Sequence, residues 1–150
     1  MEKRLTHAKR ILGIDYGTRR IGISLSDPLQ IIAQPFDTLP NDKIAVRRIR
    51  EIVDSEGVGV VIVGMPLNLK GEKAQKAQEV ERFIELLKGE MTAEIVCWDE
   101  RFTTTMAHQT MLRMGTKREE RRTNKGRIDA MAAAILLQSY LDSRKRSLSC

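Results

Sequence analysis

Three carboxylates stand where acid beside apolar sequence asks for an explanation. Asp15 closes the run Ile11-Leu12-Gly13-Ile14, and Glu100 follows Ile95-Val96-Cys97-Trp98 by one residue. Asp129 opens the alanine-rich stretch Ala130-Met131-Ala132-Ala133-Ala134-Ile135-Leu136. Burying an uncompensated carboxylate costs on the order of several kcal/mol. If folding brings the three together, a divalent cation is the natural compensation. Mg²⁺ keeps several of its own waters and needs few protein oxygens, so three acids suffice for Mg²⁺ or Mn²⁺. Two such ions about 4 Å apart activate water and stabilise the leaving oxygen of a phosphodiester, with no covalent nucleophile. A single aspartate at a strand end is ordinarily a turn or cap residue. The constellation therefore carries the reading, not any one acid.

The elements that must position these acids can be read from periodicity. Arg10 to Asp15 reads as a buried strand. Arg20 to Ser26 alternates, with Ile21, Ile23 and Leu25 on one face. The short link Tyr16-Gly17-Thr18-Arg19 makes the two a hairpin. A third extended segment, Ile31 to Leu39, ends at Pro40. Asp42 then suits an N-cap for a helix through Glu56, with Ala45, Ile49, Ile52 and Val53 on its inner face and Gly57 ending it.

Val58 to Val63 is apolar throughout, the pattern of a strand covered on both faces. Gly64 to Gly71 reads as a loop. A second amphipathic helix runs from about Lys73 to Lys88, stopped by Gly89, with Ala77, Val80, Phe83, Ile84 and Leu87 inward. Ala93 to Trp98 is a last strand. One helix is expected from Thr103 or Thr104 to Met114, and another from about Gly126 to Leu141. The order predicts an α/β fold with a mixed five-stranded sheet: three antiparallel strands, then two parallel strands reached through helical crossovers, with helices on both faces. Residues 1–150 form a single domain, with flexible ends expected at 1–9 and 143–150.

In an open sheet of this kind, sites form beyond the carboxyl ends of neighbouring parallel strands. Asp15 and Glu100 both lie at such ends. The alanines after Asp129 would let its helix approach the sheet closely, and the positive end of that helix favours clustered anions. The stretch Lys117-Arg118-Glu119-Glu120-Arg121-Arg122-Thr123-Asn124-Lys125-Gly126-Arg127 precedes Asp129 immediately. Its Lys117, Arg118, Arg121, Arg122, Lys125 and Arg127 read as a grip on a nucleic-acid backbone, against the plainer reading of a solvated charged loop. Arg19, Arg20, Asn68 and Arg101 are further candidates for phosphate contact. Hairpin solubility, loop capping and a structural ion pair are the plainer readings of these residues. Tyr16, beside Asp15, is a candidate for base stacking. Asp99 and Asp27 are possible fourth carboxylates, although alternation sends Asp99 away from Glu100 and Asp27 before Pro28 suits a turn.

Composition narrows the class. The 150 residues are 41% hydrophobic and 31% charged, which suits a soluble globular domain with a real core. The net charge of +6 is compatible with a polyanionic partner. Aromatic residues make up only 4%, against a single-strand binder built on stacking. Two cysteines, Cys97 and Cys150, give neither a disulfide framework nor a thiolate metal site. His108 has no partner at metal spacing, and His7 falls in a loose arm. No secretory leader or membrane span is evident, and a reducing cytoplasm is the expected compartment.

Four blocks in order resemble the YqgF-like nucleases, also called RuvX-type Holliday junction resolvases. They are Gly13-Ile14-Asp15-Tyr16-Gly17-Thr18-Arg19-Arg20-Ile21-Gly22, then Gly64-Met65-Pro66-Leu67-Asn68, then Asp99-Glu100-Arg101-Phe102-Thr103-Thr104. The fourth is Asp129 with Ala132-Ala133 and Ile135 to Leu141. Phe102 departs from the more usual aliphatic residue. The resemblance implies a ribonuclease H-like fold and metal-binding, catalytic roles for Asp15, Glu100 and Asp129. It also implies a bacterial-type cytoplasmic nuclease that matures the 5′ end of pre-16S ribosomal RNA, with ribosomal precursor particles as possible partners. Resolution of four-way DNA junctions is the alternative, and a resolvase would act as a homodimer where a trimming enzyme could be a monomer. A non-catalytic assembly factor is the rival of another class. An ATPase would need a second such domain to clasp a nucleotide. The residues leave open RNA or DNA, internal or terminal cleavage, and one metal or two.

Overall fold

The computed structural model of the chain describes residues 9–66, 75–100 and 125–148. Five strands form one sheet: β1 (Arg10–Tyr16), β2 (Arg20–Ser26), β3 (Ala33–Pro40), β4 (Val58–Met65) and β5 (Glu94–Asp99). The helices described are α1 (Ala45–Glu56), α2 (Gln75–Glu90) and α3 (Lys125–Leu148). The spatial order is β3-β2-β1-β4-β5. β1 is antiparallel to β2, as β2 is to β3, whereas β4 runs parallel to both β1 and β5. This is the mixed sheet expected, with β4 between the strands that deliver Asp15 and Glu100.

Strand alternation divides the side chains between two layers. On one face Leu12, Ile14, Ile21, Ile23, Val61 and Val63 pack against Ile49 and Val53 of α1 and Val80, Phe83, Ile84 and Leu87 of α2. On the other, Ile11 and Ile62 pack against Met131, Ala134, Leu137 and Leu141 of α3. Helix α1 buries Ala45, Ile49 and Val53 and ends at Gly57, whose left-handed backbone donates its N–H to the Val53 carbonyl. All five residues expected to face inward from α2 are buried.

Several boundaries differ from the sequence reading. Ile44, not Asp42, occupies the N-cap of α1, and no side chain caps it. Asp42 instead accepts the Ile44 N–H in a turn at 3.1 Å. Ile31 and Ile32 precede β3 because Asp27 holds their N–H groups in the loop, at 2.7 and 2.8 Å. β4 continues through Gly64 and Met65, which pair with Trp98 and Asp99. α2 passes through Gly89 and ends at Glu90. α3 runs past Leu141 to Leu148, where the sequence has no apolar face to reveal a helix. The helix expected from Thr103 or Thr104 to Met114 lies outside the described residues, as do His7 and His108. No helix among the described residues is long and apolar enough to cross a membrane.

Candidate active site at the carboxyl ends of β1, β4 and β5

Asp15 lies near the end of β1 and is paired with Gly22 of β2. It falls one step beyond the Ile14–Val63 pair, so Gly64 of β4 is its neighbour on the other side. The two positions flanking Asp15 thus carry no side chains, and the other two acids use the space. A Cβ at residue 22 would collide with the backbone carbonyl of Asp129. A Cβ at residue 64 would lie 2.7 Å from Glu100 Oε2 and 3.0 Å from its Cγ. Gly22 therefore admits the start of α3, and Gly64 admits the Glu100 side chain.

Polar ties fix α3 in this close seat. Buried Ser24, two residues along β2 from Gly22, donates its hydroxyl to the Ala133 carbonyl at 2.8 Å. Gln138 accepts the Ala33 N–H at 2.9 Å and donates to the Ile31 carbonyl at 3.0 Å. Small residues on the facing side, Ala130, Ala133 and Ala134, are buried. The alanine-rich face thus carries Asp129 to the sheet, as the sequence suggested.

Electrostatics mark the same point. Asp15 is raised from its ordinary 3.8 to about 6, chiefly by burial and then by the negative charge of Glu100. Lys76 opposes the rise, and Asp129 adds to it. Burial also raises Glu100, with Lys76 pulling it down and Asp99 pushing it up. Lys76 was not singled out from the sequence. It sits in the first turn of α2, which returns from the carboxyl end of β4. The only signal for it was a lysine at the start of the helix after that strand.

Arg20 Nε donates to Asp129 Oδ2 at 2.6 Å. The base of Arg20 is fixed by the hairpin. Asn41 donates its side-chain amide to the Gly17 carbonyl at 2.8 Å and its backbone N–H to the Arg19 carbonyl at 2.9 Å. Asn41 was also missed, because its partners lie in a distant turn. Arg19 is exposed in the same hairpin turn. Lys125 and Arg127 fall in the first turn of α3. Asn68, Arg101, Lys117, Arg118, Arg121 and Arg122 lie outside the described residues.

Four other residues resolve plainly. Tyr16 is not poised for base stacking: its ring lies 4.8 Å from that of Phe83, against the α1–α2 core. Asp99 pairs with Met65, which belongs to that same core, so it alternates away from the α3 face. Asp27 follows β2 at the opposite end of the sheet from Asp15. Its carboxylate accepts the N–H groups of Leu29, Ile31 and Ile32. Slight burial raises Asp27, but those backbone donors outweigh it and lower its pKa. Trp98, partly buried, packs edge-on to Tyr140 of α3 against the α3-side core, centroids 5.3 Å apart.

The donor set is one of hard oxygens, and the partly buried Asp15 is raised by desolvation and by its acidic neighbours, with Lys76 alone opposing. Both facts fit Mg²⁺ or Mn²⁺. As the side chains stand, no three acidic, His or Cys groups among the described residues converge on one ion-sized point. Asp129 is instead engaged by Arg20.

Comparison with known proteins places this arrangement in context. The profile of the family described as RuvX: Holliday junction resolvase matches residues 9–143. A protein of Acetivibrio thermocellus named "Putative pre-16S rRNA nuclease" is 41% identical over 143 residues, covering 93% of this chain and 99% of that protein. One of the same name from Geobacillus kaustophilus is 39% identical over 140 residues, covering 91% and 99%. Among solved structures, RuvC of T. thermophilus in complex with a Holliday junction aligns with a TM-score of 0.62 at 12% identity, covering 93% of this chain and 97% of that one. The fowlpox virus resolvase with Holliday junction DNA aligns at 0.58 and 14% identity, covering 90% and 98%. At these identities the likeness is one of fold.

Proposed function

This chain belongs to the RuvX family, and from that premise we propose that it is a divalent-metal-dependent nuclease whose catalytic residues are Asp15, Glu100 and Asp129. One observation carries the assignment. Asp15 is flanked by two glycines, and the spaces they leave are taken by Glu100 and by the backbone that carries Asp129. A cluster built by omitting side chains on both sides of a partly buried acid fits assembly for a shared cation better than incidental turn duty.

Asp15 and Glu100 would hold the ion from the sheet, and Asp129 would reach it from α3. When bound, Mg²⁺ or Mn²⁺ supplies an activated water and a charge partner for the leaving oxygen, in a two-ion arrangement. The chain's own residues do the rest. Asp15 and Glu100 are partly withdrawn from water, and the raised Asp15 marks a centre short of positive charge. Arg19 and Arg20 of the β1–β2 hairpin, with Lys125 and Arg127 of the basic stretch before Asp129, would hold the nucleic-acid backbone by phosphate contacts. Lys117, Arg118, Arg121 and Arg122 extend that basic stretch in sequence, and Asn68 and Arg101 follow the strands that end at the site.

The substrate we propose is the 5′ region of pre-16S ribosomal RNA, in the cytoplasm. Support comes from the relatives of that name, which match over nearly their full length. Four-way DNA is the second reading, supported by the family's own description. The experiment offers purified protein a pre-16S leader fragment and a four-way junction in parallel, with Mg²⁺ or Mn²⁺. Wild type should cleave one of them, and Asp15→Asn and Asp129→Asn should each lose about a hundredfold or more of the rate while staying folded. Cleavage undiminished in Asp15→Asn would overturn the assignment. Binding without cleavage, and no thermal stabilisation by either metal, would favour a non-catalytic assembly factor.

A further inference from the structure

Arg20 was expected to touch phosphate. Instead its Nε lies 2.6 Å from Asp129 Oδ2, on a carboxylate that the proposed nuclease reading requires for metal. We propose that Arg20 is an exchangeable counter-ion: it neutralises Asp129 until a divalent cation takes the carboxylate, and the released guanidinium then engages a substrate phosphate. This inference rests on that nuclease reading and adds an order of events to it.

Four observations support the exchange. The two residues are 109 positions apart in sequence, so the contact is tertiary. Arg20 and Gly22 lie two apart on β2 and hence on one face, and Gly22 is where the Asp129 backbone is seated. The backbone on both sides is pinned, by Asn41 on the hairpin and by Ser24 on α3. Exchange therefore needs side-chain rotation alone. Finally, the side chains are 42% and 27% exposed. An ion pair so open to water is weak and yields to a divalent cation held also by the partly buried Asp15 and Glu100.

The guanidinium suits the second half of the exchange. Among the described residues only its Nε is engaged, by one carboxylate oxygen. A planar group with five N–H donors can address a phosphate once it lets the carboxylate go. The same motion would couple metal loading to substrate grip. Before metal arrives, Arg20 is occupied; afterwards it is available at the edge where the scissile backbone must lie.

The test compares full-length wild type, Arg20→Gln, Arg20→Lys and, as a control for loss of one neighbouring charge, Arg19→Gln. Mn²⁺ is titrated while thermal melting is followed, without nucleic acid. Removing the competitor should tighten apparent Mn²⁺ binding by about fivefold in Arg20→Gln, the upper range for an exposed pair. Arg20→Lys should fall between it and wild type, and Arg19→Gln should stay near wild type. Association with a four-way junction or leader RNA is measured next, by rapid mixing before any cleavage. Arg20→Gln should weaken it more in Mn²⁺ than in chelator. An unchanged or weaker Mn²⁺ midpoint in Arg20→Gln overturns the exchange, as does equal tightening in Arg19→Gln, which would indicate only the general field. Equal loss of nucleic-acid affinity with and without Mn²⁺ overturns it too. A wild type with no Mn²⁺ response fails earlier and for a different reason, because it removes the metal reading itself.

Discussion

The two faces of the sheet are packed by different means. Toward α1 and α2 the strands present branched side chains: Ile14, Ile21, Ile23, Val61 and Val63. Toward α3, an apolar cluster around Ile11 and Ile62 gives way at the site end of the sheet to Gly13, Asp15, Gly22, Ser24 and Gly64, where contact is made by close backbone approach and buried polar bonds. The first face gains stability from apolar area along its whole length. The second has its own apolar cluster but gives up contact area at one end, where α3 and the acid it carries come next to Asp15. The chemistry is thus positioned at the one end of the α3 layer where branched side chains are missing.

The comparison breaks most sharply at one residue on each face. Leu87→Ala opens a cavity in the α2 layer and should cost about 2–5 kcal/mol of stability. Below its lowered melting temperature the variant should cleave at near the wild-type rate. Gly22→Ala should cost about 1–3 kcal/mol, because the new methyl meets backbone rather than a flexible side-chain end. Its cleavage should nevertheless fall far more than that of Leu87→Ala, since α3 must lift and carry Asp129 with it. Chemical denaturation beside cleavage rates at a temperature where both variants are folded would check this. Similar rates in the two variants would mean that the faces do not divide the work.

Asp15 sharpens the contrast through pH. Its folded pKa of about 6 lies above the ordinary 3.8, so the folded state holds the proton more tightly than the unfolded chain. Between these values stability falls as pH rises. The penalty is absent below 3.8 and fully present above about 6, on the order of 2 kcal/mol with partial solvent screening. In chelator at pH 8, Asp15→Asn should therefore melt higher than wild type by roughly 4–8 °C, and the gap should close toward pH 4. Added Mn²⁺ should raise wild type and leave the variant unmoved. A variant less stable than wild type at pH 8 without metal would contradict the buried-charge account.

The strand order and one face of each helix could be read from the sequence because they follow local periodicity. Alternation in β2 and the spacing of Val80, Phe83 and Leu87 in α2 are examples. The shared edge of Asp15 and Glu100 followed from that order. The approach of Asp129 was half legible. The alanines announced a close-packed helix, but not that Gly22 was its seat. The Arg20–Asp129 pair, Lys76 and Asn41 were not legible, because each acts across a large sequence separation with no pattern of its own. Tyr16 misled for a related reason. Its neighbour Asp15 faces α3, whereas alternation turns Tyr16 to the opposite layer and Phe83.

The smallest stability effect should come at Gly64, and it isolates the chemistry best. A Cβ there meets the mobile end of Glu100 and, at 3.1 Å, Leu136 Cδ2. Both can shift by side-chain rotation, unlike the Asp129 carbonyl above Gly22. Gly64→Ala should thus change stability by no more than about 1 kcal/mol, a strand glycine replaced by alanine even offsetting part of the crowding. Glu100, however, must leave the position in which it raises Asp15. Cleavage should fall by at least about tenfold, while the apo melting temperature at pH 8 holds or rises as Asp15 loses a negative neighbour. Denaturation, melting and single-turnover cleavage of this one variant separate the two outcomes. If cleavage survives with Glu100 displaced, Asp15 and Asp129 suffice, and the site is a pair rather than a triad.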